Sequence, residues 1–69
     1  MKYREVARRL RSLGCLEITR RGKGSHRMWT SPVTGKATVI PDWGGKDLKI
    51  GTVRGAVRQL GLDWQEFTS

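Results

Sequence analysis

The chain has 69 residues, which suffices for one domain with one thin core; a domain this small buries only about 60% of the surface its unfolded chain exposes. Fourteen Lys and Arg against six Asp and Glu give a formal charge of +8, which points to a polyanionic partner and away from an acidic one-sign surface. The single cysteine excludes an internal disulfide and any cysteine-built zinc site.

The charge is uneven along the chain. Residues 1 to 27 carry nine basic and two acidic side chains, a net of +7, whereas residues 28 to 69 carry a net of only +1. A surface kept charged for solubility alone would mix the signs. No segment joins a basic face to a large apolar face, and no apolar run is long enough for a signal peptide or a membrane span. The expectation is a cytoplasmic protein with nucleic acid, not membrane, as its partner.

In chain order, residues 3 to 13 place Tyr3, Val6, Ala7, Leu10 and Leu13 at helical spacing, with arginines elsewhere on the cylinder and Gly14 as the C-cap. "CLEITRRG" follows, where Leu16 and Ile18 alternate against Glu17 and Thr19 as in a half-buried strand. Gly22 to Gly24 make a turn, "SHRMWTS" is the next strand, and Pro32 with Gly35 closes a hairpin. "ATVIP" is a third strand, and "DWGGKDLKIG" is a loop. Thr52 then caps a second helix bearing Val53, Ala56, Val57 and Leu60, ended by Gly61. Asp63 and Glu66 have capping-box spacing and start a terminal turn that tucks Trp64 and Phe67 against the core. The result is an α+β single domain, residues 1–69, with a three-stranded antiparallel sheet, two helices on one face, and the other face free.

The chemistry concentrates in "RRGKGSHRMW", residues 20 to 29. Alternation sets Ser25, Arg27 and Trp29 on one face of the strand and His26, Met28 and Thr30 on the other, without saying which face the helices cover. Cutting RNA without a metal needs a base to take the 2′-hydroxyl proton and an acid to protonate the leaving oxygen. Cations must also stabilise the phosphorane. An imidazole with an ordinary pKa of about 6.5 suits either proton role, and neighbouring cations favour its neutral form. Lys23 and Arg27 are placed to hold the phosphate, the Gly22 and Gly24 backbone to approach it, and Ser25 to orient substrate or His26.

Each feature also has a plainer reading. A lone strand histidine is more often structural or simply exposed, and Gly22 and Gly24 are by default turn residues. Trp29, Trp43 and Trp64 could stack on bases, with Trp64 expected in the core. Cys15 reads as a small buried hydrophobe, and Asp42 and Asp47 read as loop-turn residues. One histidine without clustered carboxylates supplies too few ligands for a catalytic metal, so no cofactor is expected.

The segment "VARRLRSLGCLEITRRGKGSHRMW" resembles the first helix, first strand and Gly-Ser-His signature of the HicA family of toxins from toxin–antitoxin systems. "KATVIP", "LKIGTVRGAVRQLGL" and "WQEF" are similar to its later strand, closing helix and last turn, so the likeness spans nearly the whole chain. The resemblance implies a fold like the double-stranded-RNA-binding domain, α-β-β-β-α, and a metal-independent ribonuclease that cuts mRNA. It implies that His26 is catalytic, with Gly24 and Ser25 completing the signature; the basic residues beside it, Arg20, Arg21, Lys23 and Arg27, are the RNA-binding candidates by charge and position. It also implies a HicB-type antitoxin that covers the active face. The chain departs from the family at Trp43, roughly where many relatives carry a second histidine. Two other readings stand beside the toxin: a non-catalytic basic RNA-binding module, and a protein whose basic surface chiefly serves an acidic protein partner.

Overall fold

A computed structural model of the chain describes residues 1–18 and 26–69. The elements are α1 (Tyr3–Ser12), β1 (Leu16–Ile18), β2 (His26–Ser31), β3 (Lys36–Pro41), α2 (Ile50–Gln59) and α3 (Trp64–Thr68). The strands pair antiparallel in the order β1-β2-β3. Helix, three strands, helix is the order expected, extended by the short α3. The turn expected at Gly22 to Gly24 lies outside the described residues.

α1 forms because its apolar residues recur on one stripe: Tyr3, Val6, Ala7 and Leu10 are all buried. The helix stops at Gly14, whose φ of +86° is a conformation that side chains with a Cβ rarely adopt. α2 buries Val53, Ala56 and Val57 against the same core. It begins at Ile50, three residues before the sequence reading placed its first turn, and Lys49, not Thr52, is the cap residue. No side chain caps it. Leu48 and Val53 flank this start at the spacing of a hydrophobic staple, and both are buried, so apolar packing sets the entry in place of a Thr52 hydroxyl. α3 is capped as expected: the Asp63 carboxylate accepts from the Gln65 N–H at 3.2 Å.

The core tryptophan is Trp29, not Trp64. Trp29 is fully buried and donates its indole N–H to the Tyr3 hydroxyl at 3.0 Å. The Arg11 guanidinium lies 5.3 Å from its ring centroid, so α1 covers the indole with both an aromatic and a cation. Burial pushes the Tyr3 phenol above its ordinary value, partly offset by the indole hydrogen bond. Trp64 is only partly buried, stacked on Phe67 at 5.4 Å under Arg54. Cys15 is buried, as expected.

With Trp29 inward, strand pairing assigns every other residue of the sheet. Glu17 opposes Trp29, which opposes Thr38, and Arg27 opposes Ile40, all on the helix-covered side. The outer side carries the rows Leu16–Thr30–Ala37 and Ile18–Met28–Val39, then His26–Pro41. β1 is therefore inverted relative to the half-buried strand expected from sequence. Leu16 and Ile18 are 57% and 40% exposed, while Glu17 turns toward the helices. The reason is register: the larger indole takes the inner face, and the paired strand must follow it. At the far end, the Thr34 hydroxyl donates to the Leu60 carbonyl at 2.7 Å, fastening the β2–β3 turn to the end of α2.

Tyr3→Phe removes the acceptor of a buried N–H and should cost about 1–3 kcal/mol. Thermal unfolding should show a melting temperature lower by several degrees, at about 4–8 °C per kcal/mol for a domain of this size.

Candidate nucleic-acid interface

His26 begins β2 on the outer face, exposed, with Pro41 as its partner across the pair with β3. An imidazole in that position is open to a polynucleotide. Pro41 has no N–H to give the ladder, so the β2–β3 pairing ends at this pair and His26 stands at the margin of the sheet. Its neighbours in the signature, Arg20, Arg21, Lys23, Gly24 and Ser25, lie outside the described residues.

Arg27 lies where strand alternation puts it, on the face of Trp29 and opposite His26. Successive side chains of a strand point to opposite faces, so Arg27 projects to the side away from His26. There its guanidinium lies 3.9 Å from a Glu17 carboxylate oxygen and 3.5 Å from one of Asp42. Glu17 is also within 3.3 Å of Arg11. The chain Arg11–Glu17–Arg27–Asp42 links α1, β1, β2 and the loop after β3 across the sheet margin. Two carboxylates neutralise much of the charge that Arg27 would otherwise offer to a phosphate.

Asp42 does more than the loop-turn role expected of it. Its second oxygen accepts from the Gly44 N–H at 2.9 Å, and Gly44 has a φ of +63°. The Lys46 N–H donates to the Trp43 carbonyl at 3.2 Å and closes the turn. Trp43 and Lys46 thus stand together at one end of the sheet, two and five residues beyond Pro41, the strand partner of His26. Among the described residues no three His, Cys, Asp or Glu side chains gather as a metal site.

The outer face beside His26 is the feature that sequence reasoning missed. Leu16, Ile18 and Val39 are exposed around the partly covered Met28, and an open recess of about 500 Å³ lined by Met28, Ala37, Thr38, Val39 and Gln59 runs from this face over the β3 edge toward α2. Side chains two apart on a strand stand about 7 Å from each other, so His26 borders this apolar strip at Met28. Leu16 and Ile18 on β1 and Ala37 and Val39 on β3, with Met28 between them, were the available signal, but alternation alone left open which face the helices cover.

Residues 3–62 match the model of a family described as the HicA toxin of bacterial toxin–antitoxin systems. A protein of Pseudomonas fluorescens (strain Pf0-1), named probable mRNA interferase HicA, is 44% identical over 62 residues, spanning 90% of this chain and 97% of its own length. No solved structure matches the chain. No helix among the described residues is long and apolar enough to cross a membrane.

Because Arg27 is 47% exposed and its pairs are longer than 3.4 Å, Arg27→Gln should cost less than about 1 kcal/mol in urea unfolding. A larger loss would mean that the four-residue ion-pair chain holds the sheet margin.

Proposed function

The chain belongs to the HicA toxin family of bacterial toxin–antitoxin systems, and on that premise we propose that it is an endoribonuclease that cuts mRNA in the cytoplasm without a metal, using His26 for proton transfer. The observation that carries this reading is the exposed imidazole at the sheet margin, at the end of the segment with the densest positive charge. In cleavage the 2′-oxygen attacks the neighbouring phosphorus as its proton leaves, and the 5′-oxygen departs as it gains one. His26 serves one of these two transfers, since an imidazole nitrogen can accept or donate a proton. Arg20, Arg21 and Lys23 hold the phosphate and balance its developing charge, the Gly22 and Gly24 backbone approaches it, and Ser25 orients the substrate or His26. Arg27 has a smaller share in RNA binding because Glu17 and Asp42 already engage it.

The antitoxin partner in this reading is a HicB-type protein docked over the outer sheet face. Two observations support it. The face is apolar and exposed, and it runs up to His26, so one partner can bury Leu16, Ile18, Met28 and Val39 and shield the imidazole together. The net charge of +8 suits an acidic partner and speeds encounter with it. The basic, non-catalytic RNA-binding module draws on the same charge but leaves this apolar face unexplained.

Purified protein should cut single-stranded RNA in the presence of a chelator. His26→Ala should remove cutting by about a hundredfold or more while leaving the unfolding midpoint unchanged, since the side chain is exposed. Equal cleavage by the variant would end the catalytic assignment. Separately, Val39→Asp should weaken the antitoxin complex by more than about tenfold in calorimetry.

A further inference from the structure

The three tryptophans have three different surroundings. Trp29 is sealed in the core with its N–H used, and Trp64 is stacked on Phe67 beneath Arg54. Trp43 is 42% exposed, and among the described residues no aromatic or guanidinium covers its ring. A singly exposed ring needs no partner of its own; what sets this one apart is an open face beside the ammonium-bearing Lys46, at the end of the sheet where His26 stands. Its position is also fixed from both sides. The Asp42 carboxylate grips the Gly44 N–H on one hand and meets Arg27, the residue after His26, on the other. The Lys46-to-Trp43 backbone bond closes the turn, and these two residues line an open recess of about 340 Å³.

Distance along the chain brings this recess to the reacting end of the sheet. Two residues of extended chain span at most about 7 Å, and paired strand residues stand about 5 Å apart. The Cα of Trp43 therefore lies within about 12 Å of that of His26, through Pro41. An RNA strand with its scissile phosphate at His26 would carry an adjacent base over the turn.

We propose that Trp43 and Lys46 form a nucleobase-stacking subsite that seats a nucleotide next to the phosphate held at His26, the indole taking the face of the base and the ammonium the flanking phosphate. The proposal rests on RNA being the ligand of the His26 site. It is independent of whether His26 cuts. Stacking is tolerant of base identity, so the subsite would fix the position of the strand more than its sequence. A flat indole cannot exchange protons as an imidazole does, so Trp43 binds and does not act in the chemistry.

The test uses the whole protein and short single-stranded RNA methylated at every 2′-oxygen, which can bind but cannot supply the attacking hydroxyl. Titration should quench tryptophan fluorescence, and Trp43→Phe should remove that quench while keeping affinity within a few-fold, since a phenyl ring still stacks. Trp43→Ala should weaken binding about tenfold or more, the loss that follows removal of a base–aromatic stack. Lys46→Ala should lower the slope of affinity against salt by about 1. Undiminished affinity of Trp43→Ala, or a quench that persists in Trp43→Phe, overturns the subsite. If unmodified RNA is never cut but Trp43→Ala still loses affinity, the catalytic reading falls and the subsite stands.

Discussion

The fold turns on one hydrogen-bonded contact, the indole of Trp29 set beneath α1 with its N–H on the Tyr3 hydroxyl. An indole brings the largest apolar area in this chain, and leaving it in water would forfeit a main share of the hydrophobic gain available to so small a core. Once it points inward, the two-residue period of a strand leaves no further choice. His26, three positions earlier, must point outward, as must Met28 and Thr30. The same contact that completes the interior thus delivers the imidazole to solvent. Sliding β2 by a single residue would exchange the roles of Trp29 and Met28, and of His26 and Arg27.

The two sides of the sheet then divide the work of a toxin. The inner margin gathers Arg11, Glu17, Arg27 and Asp42 into alternating charges that tie helix, strands and loop together. The outer side holds the exposed imidazole and a strip of aliphatic side chains. A nucleic acid has no use for such a strip, since its affinity comes from phosphate neutralisation and from base contacts. A folded protein partner does, and on the proposed reading substrate and inhibitor would be drawn to adjoining parts of one face by different forces.

Much of this was legible in the residues. Helical spacing at Val6, Ala7 and Leu10, and again at Val53, Ala56 and Val57, identified both helices and the faces they bury. Gly14, Gly35 and Gly61 marked ends and turns because each needs a positive φ. What failed were choices between equivalent patterns. β1 alternates Leu16 and Ile18 against Glu17, and local alternation cannot tell a core-facing aliphatic from one that awaits another protein; only pairing with Trp29 decides. Trp64 and Trp29 were equally apolar on paper, and the presence of a hydroxyl acceptor on α1 separates them. Thr52 was a sound cap by composition, yet burial of Leu48 starts α2 a turn earlier. At the site itself, alternation set His26 and Arg27 on opposite faces but left open which face the helices cover, and burial of Trp29 decides it. The Glu17 and Asp42 carboxylates beside Arg27 were not legible because they come from distant positions.

The aliphatic strip has a further consequence for the molecule on its own. Leu16 and Ile18 lie on a three-residue strand with an open edge, next to Met28 and Val39. Short edges and high net charge are the devices by which a chain avoids pairing with copies of itself, and this protein has both, along with a greasy surface that works against them. A toxin deprived of its antidote is then caught between electrostatic repulsion that keeps copies apart and a patch that draws them together. Ionic strength sets that balance, because dissolved salt weakens the repulsion and leaves the patch untouched.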